Sequence, residues 1–208
     1  MADLVVLAAA RHGGRPALRH KVGEGWVDIS YAELERTVAE VALGLVDLGI
    51  EPGDRVSILS HTRPEWTYAC FATFAASAVA VSIYQTNSVE ECQYVLAHSG
   101  SRAVFAEDAE QLAKIRAVEG ELPALEFVIV MQPADVDGGA VSLAELRERG
   151  RRREAAELEQ RRAAIGLDDS CLFIYTSGTT GPPKACELTH GNYRAVTSAV
   201  QARGVVHE

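Results

Sequence analysis

Short apolar runs recur between helix-length segments, and this alternation limits the fold more than any other feature. Arg55–Leu59, Val79–Tyr84, Ala103–Ala106 and Phe127–Met131 are runs of four to six residues that hold almost no charge. A strand with one wet face alternates polar and apolar residues, whereas a strand covered on both faces does not. Capped helices fill the gaps between the runs. Ser30-Tyr31-Ala32-Glu33 and Ser88-Val89-Glu90-Glu91 have the spacing at which hydroxyl and carboxylate each reach the other's backbone N–H. Leu34, Val38, Val41, Leu45 and Leu48 recur as one helical face, and Gly49 is placed to end it. Helices over about Glu65–Ala76, from Ser88 to near Gly100, and over Ala109–Val118 complete the series. Short covered strands between such helices predict parallel β-α-β units: an α/β fold with a mostly parallel sheet and helices on both faces.

The size and chemistry of the chain narrow the function. Its 208 residues suffice for one domain or one and a half. A net charge of −9 opposes a nucleic-acid partner. Cys70, Cys92, Cys171 and Cys186 stand in apolar settings at no ligand-like spacing, which reads as buried thiols of a cytoplasmic protein, with no metal site or disulfide framework. Leu4–Ala10 follows Asp3 and no basic segment, so it reads as a first helix rather than a signal peptide. Trp66–Gln85 is uncharged and long enough to span a bilayer, but it is rich in Ala, Ser and Thr and divides into a helix and a strand. Ser142–Arg162 predicts a helix opened by Ser142-Leu143-Ala144-Glu145. Five glutamates interleave with its arginines, so residues 142–166 read as a solvated helical linker, not a polyanion-binding patch.

One segment carries chemistry. Cys171-Leu172-Phe173-Ile174-Tyr175 runs into Thr176-Ser177-Gly178-Thr179-Thr180-Gly181, then Pro182-Pro183-Lys184. Glycines admit backbone N–H groups close to an anion, hydroxyls donate hydrogen bonds, and the lysine adds a point charge, a set suited to phosphate. It is not the loop in which glycine and lysine adjoin and open a helix. The two prolines lack N–H groups and oppose a helix there, so the connection should run from strand to strand.

The string Phe173–Lys184 resembles the phosphate-binding signature of the adenylate-forming superfamily, which includes acyl-CoA synthetases, luciferases and peptide-synthetase adenylation domains. Ala185-Cys186-Glu187-Leu188-Thr189-His190-Gly191-Asn192 resembles its continuation into a strand and a helix, with Asn192 as a cap. Gly53–Ser60, Arg63-Pro64-Glu65-Trp66 and Val81–Ser88 look like the long-chain fatty acyl-CoA synthetase branch. The resemblance covers about residues 20–202. Ala185 stands where the family usually has glycine after the lysine, Ser77 where it has glycine before a strand, and Ser82 where it has proline. A required positive φ at residue 185 would make the alanine costly.

The resemblance implies that residues 1–208 are a partial N-terminal adenylation (AMP-binding) domain, with a phosphate-binding loop at 173–184. The remainder of the large domain and a C-terminal domain are expected to be absent. ATP, Mg2+ and CoA are the implied cofactors and co-substrates, and a fatty acid is the implied acid. Thr176, Ser177, Gly178, Thr179, Thr180, Gly181 and Lys184 would hold the β- and γ-phosphates, with Thr176 and Lys184 acting in catalysis. Two alternatives stay open: a noncatalytic truncated domain with weak nucleotide binding, and an aryl- or amino-acid-activating enzyme. Peripheral membrane contact and self-association through a truncated face also stay open. His190 reads as structural or solvent-facing, while His61 at a strand end and His98 at a helix end read as capping residues. Cys186 is placed to be alkylated, with nothing near it that marks a nucleophile.

Overall fold

A computed structural model describes residues 1–132, 139–176 and 182–203. The chain opens with α1 (Leu4–His12), a hairpin of β1 (Pro16–Val22) and β2 (Gly25–Ser30), and α2 (Tyr31–Asp47). Then follow β3 (Arg55–Leu59), α3 (Pro64–Ala75), β4 (Val79–Ile83), α4 (Val89–Ser99), β5 (Ala103–Ala106) and α5 (Ala109–Arg116). After β6 (Phe127–Val130) and a two-residue strand β7 (Val141–Ser142) come α6 (Leu143–Arg151) and α7 (Ala155–Ala163). A second hairpin, β8 (Ser170–Thr176) and β9 (Lys184–Thr189), precedes α8 (His190–Ala202).

Seven strands form one sheet in the order β7-β6-β5-β3-β4-β8-β9, and the β1–β2 hairpin stands apart from it. Every pairing in the large sheet is parallel except β8 with β9. The expected α/β architecture is therefore present. The runs are uniformly apolar because the sheet is covered on both sides. Val56 and Ile58 of β3, and Ala103 and Phe105 of β5, face a core shared with α2, α3 and α6. Leu59, Val104 and Ala106 face a second core built on Cys92, Val95 and Leu96 of α4 and Leu112 and Ile115 of α5.

The helix ends follow the local chemistry. Ser30 with Glu33 and Ser88 with Glu91 form complete capping boxes. At the end of α4, Gly100 adopts the left-handed conformation that closes a helix. The uncharged stretch from Trp66 divides into α3 and β4, and no helix among the described residues is long and apolar enough to cross a membrane.

Two expectations are corrected, and a third point adds an element that the sequence did not disclose. Segment 142–166 is not a solvated linker. Its helix breaks at residues 152–154, and both parts pack on the domain: Leu146 is fully buried and Leu143 and Leu158 nearly so. Its arginines pair inward as well, Arg147 and Arg151 with Glu40, and Arg149 and Arg153 with Asp47. A stripe of few apolar side chains suffices here because glycine lets the backbones meet. A methyl group on Gly44 would overlap the Leu146 carbonyl, and one on Gly150 the Glu40 carbonyl. The second correction concerns α8. Asn192 does not cap it; Thr189 Oγ1 accepts from the Asn192 N–H while Asn192 Oδ1 accepts from the Thr189 N–H, so Thr189 is the cap and Asn192 its reciprocal partner. The third is the β1–β2 hairpin, which strand periodicity did not disclose. Its polar residues Arg19, His20, Lys21 and Asp28 mask the alternation, and Gly23 at φ +58° turns it.

Candidate phosphate site at the carboxyl edge of the sheet

Strands β8 and β9 form the strand-to-strand hairpin expected from the two prolines. Thr176 and Lys184 are its last paired residues, and both side chains are exposed. Ser177, Gly178, Thr179, Thr180 and Gly181 lie outside the described residues. Among the described residues, the Lys184 ammonium has no ion-pair partner. Ala185 pairs with Tyr175 inside the ladder. Ser77 is the non-glycine residue with positive φ among those described, so Ala185 is extended and its exposed methyl group causes no strain.

The hairpin stem stands at the carboxyl edge of the parallel strands, where α/β sheets hold their ligands. Such crevices form where adjacent strands send their following helices to opposite faces. That condition is met beside the stem. After β3 the chain enters α3 in the first core, whereas after the neighbouring β4 it enters α4 in the second. Strand β4 is in turn the parallel neighbour of β8.

Side chains brace each loop on this edge. The Lys114 ammonium donates to the carbonyls of Gln85 (2.7 Å) and Asn87 (3.1 Å), holding the β4–α4 connection. Glu107, just past β5 and buried, accepts from the His61 N–H (2.7 Å), joins the His61 ring (2.9 Å) and accepts from Arg63 Nη1 (3.0 Å). Burial alone would raise the Glu107 pKa, but the His61 backbone and ring and the Arg63 guanidinium outweigh it and hold the carboxyl below the usual range. His61 thus ties the β3–α3 loop to β5 rather than capping a strand. Under the hairpin, the buried Tyr175 hydroxyl meets His98 Nδ1 at 2.8 Å, and the Tyr94 hydroxyl donates to the Pro183 carbonyl at 2.9 Å. His98 is therefore engaged with β8, not spent on its own helix end. Spacing alone could have suggested this pair, since Tyr94 and His98 are four apart on one helix face.

His190 belongs elsewhere. It lies beyond the far end of β9, buried, 6.1 Å from the Phe74 ring centroid and 3.2 Å from the Met1 amino group. Burial and that amino group push its pKa down. It borders a groove of about 870 Å³ at the amino edge of the sheet, lined by Arg55, Ser77, Arg161 and Phe173. The groove's two arginines are committed to backbone: Arg55 to the Ser99 and Gly100 carbonyls, Arg161 to those of Ile50 and Ala76. Among the described residues, the carboxyl edge presents a lysine, Lys184, with no ion-pair partner, whereas both groove arginines are engaged. Burial raises Cys70 to about 12 and Cys92 and Cys171 to about 11, whereas Cys186 is exposed. Among the described residues, no group of three or more His, Cys, Asp or Glu side chains is arranged to hold a metal.

Comparison with known proteins agrees with this geometry. The AMP-binding enzyme family matches residues 6–208. The chain belongs to that family. It is 41% identical over 167 residues to the long-chain-fatty-acid–CoA ligase FadD15 of Mycobacterium bovis, covering 80% of this chain and 27% of that protein. It is 35% identical over 175 residues to the long-chain-fatty-acid–CoA ligase heimdall of Drosophila melanogaster, covering 81% and 26%. The chain thus spans about a quarter of the length of these relatives. Among solved structures, an anthranilate CoA ligase in complex with anthranoyl-AMP superimposes with a TM-score of 0.79 at 22% identity, covering 95% of this chain and 36% of that one; that likeness shows the fold.

Proposed function

We propose that this chain supplies the phosphate-holding part of an ATP-dependent acid–CoA ligase of the long-chain fatty-acid type. The observation that carries the reading is the stem itself. A threonine hydroxyl and a lysine ammonium with no ion-pair partner among the described residues share one rung of a hairpin, at the carboxyl edge beside the point where the helices change face. Relatives named as long-chain-fatty-acid–CoA ligases support the choice of acid and thiol.

In the proposed reaction, a fatty-acid carboxylate attacks the α-phosphorus of ATP and pyrophosphate leaves. The CoA thiolate then attacks the acyl carbon and AMP leaves. Thr176 donates a hydrogen bond, and Lys184 neutralises charge that grows on the departing pyrophosphate. Ser177, Gly178, Thr179, Thr180 and Gly181 complete the cradle. Fixed donors aimed at developing charge are the main resource of an enzyme that transfers phosphoryl or adenylyl groups. The donor set suits a polyphosphate: one cation, hydroxyls and glycine N–H groups, while the carboxylate of the stem, Glu187, is engaged with Ser170. Magnesium is proposed to arrive with the nucleotide. The protein is read as cytoplasmic, with the remaining part of the active site contributed by sequence that this chain does not hold.

ATP–pyrophosphate exchange with a panel of fatty acids tests the reading. Two proteins are compared: the 208-residue chain, and the same chain joined to the downstream remainder of a long-chain ligase relative. Exchange is expected in the joined protein only. In it, Lys184→Ala should slow exchange by about a hundredfold or more, the usual scale for losing a donor aimed at transition-state charge. Unchanged exchange in that variant would remove Lys184 from the mechanism. Exchange with aryl acids or amino acids but not fatty acids would move the chain to another branch of the family.

A further inference from the structure

Tyr175 near the end of β8 and Pro183 just before β9 are both held by one helix, and neither hold is needed to build the sheet. On the entry side, Tyr175 is the penultimate residue of β8, and its hydroxyl bonds His98 Nδ1 at 2.8 Å. On the exit side, Pro183 immediately precedes β9, and its carbonyl accepts from the Tyr94 hydroxyl at 2.9 Å. Tyr94 and His98 are one turn apart on α4 and stack with ring centroids 5.4 Å apart at 28°. Tyr94 also meets Tyr175 edge to face at 6.4 Å. The helix beneath is fixed, because Cys92, Val95 and Leu96 are buried in the second core and Ser88 caps its start.

We infer that Tyr94, with His98, is a positioning residue that sets the hairpin stem carrying Thr176 and Lys184. A proline at 183 cannot contribute an N–H to a ladder, so its carbonyl is the one backbone polar group by which that residue can be fixed. Tyr94 uses it. The rung that carries Thr176 and Lys184 is the next one along the hairpin. Holding Pro183 therefore limits where the Lys184 backbone can go, and the aromatic stack limits where Tyr94 can go. This inference rests on the polyphosphate reading of the loop. Neither Tyr94 nor His98 would touch the nucleotide; both act through the stem.

Tyr94→Phe tests this in the 208-residue chain, since it removes one hydroxyl and keeps the ring stack. Three quantities are read: the melting temperature, hydrogen exchange in peptides covering 182–187, and affinity for magnesium tripolyphosphate. The expected result is a melting temperature within roughly 4 °C of the parent. Exchange at 182–187 should be about fivefold faster, with β3 and β5 unchanged, and affinity about fivefold weaker, the scale of one lost neutral hydrogen bond. His98→Gln, which keeps a partner for Tyr175, should retain more protection at 182–187 than His98→Ala. Unchanged exchange at 182–187 overturns the inference. So does faster exchange with unchanged affinity, which would make the brace a packing contact only. Parent protein that binds no tripolyphosphate sinks the inference together with the reading beneath it. That failure differs from failure of the brace alone, because it shows in the parent before any substitution.

Discussion

Residue 77 shows how one side chain can be both a departure from a pattern and its own remedy. Ser77 adopts φ +63°, a conformation that costs a non-glycine residue roughly 1–2 kcal/mol. Its hydroxyl donates to the Arg161 carbonyl at 3.0 Å, and its own carbonyl accepts from the Gly53 N–H at 2.8 Å. Ser77→Ala would keep the strain and lose the side-chain bond, so stability should fall by about 1 kcal/mol. Ser77→Gly would lose the bond and relieve the strain, leaving stability within about 1 kcal/mol of the parent. Urea unfolding of the three proteins checks this; alanine matching or exceeding glycine would show that strain plays no part. The sequence identified residue 77 as a position of glycine character, but the bond to residue 161 depends on a contact 84 positions away and left no trace in local pattern. Residue 185 is the converse. A similar departure raised the same concern, yet the ladder places Ala185 in extended backbone where any residue fits.

Elements whose signals are local were legible, and those that depend on partners were not. The apolar runs of β3 to β6 and the capping boxes of α2 and α4 depend on neighbours a few residues away. The fate of α6 and α7 depends on α2, more than a hundred positions earlier. Charge periodicity suggested water on all sides, but Leu143, Leu146 and Gly150 lie at spacings of three and four, a narrow stripe that meets α2 at Gly44. Two glycines at a crossing allow closer contact than any apolar side chain would, which is why so little hydrophobic area holds these helices. Gly150→Ala should therefore destabilise by about 1–3 kcal/mol despite its better helix propensity, because the added methyl meets the Glu40 backbone. Gly120→Ala is the control, since nothing lies near a Cβ there. Thermal unfolding decides it: a Gly150→Ala protein as stable as the Gly120→Ala protein would mean that the helices separate at no cost. Function follows the same division. The proposed phosphate string is contiguous in sequence, whereas Tyr94 and His98 sit 89 and 77 positions before the stem residues that they contact.

Among the described residues the carboxyl groups with shifted pKa all lean downward, and that dominates the response to strong acid. Asp28 is held low by Arg19, Glu33 by Ser30, Glu126 by Arg102, Glu148 by Arg151 and Glu157 by Arg153, all at the surface where water and salt weaken the effect. Glu107 differs in being buried, with its oxygens satisfied by His61 and Arg63. A carboxylate whose folded pKa is depressed contributes stability that is fully present above the unfolded pKa and is lost as pH falls through the folded value. The protein should therefore resist urea best near neutrality; buried His190, whose pKa is pushed down, begins to weaken it as pH falls below the ordinary imidazole range, and the carboxylates add to that loss below about 4. Glu107→Gln should cost about 1–3 kcal/mol at pH 7, where an amide replaces a charge that two cationic or N–H partners surround. At pH 3, below the ordinary carboxylate range, the unfolded chain takes up a proton at residue 107 that the native carboxyl, held low, resists, so the gap between the two proteins should narrow. Urea midpoints of both proteins at the two pH values measure the gap directly. A gap of equal size at both would mean that Glu107 acts through shape and packing rather than charge. Because Glu107 joins the end of β5 to the loop after β3, its protonation should loosen the carboxyl edge before the cores on either face, and exchange should rise first at residues 60–63.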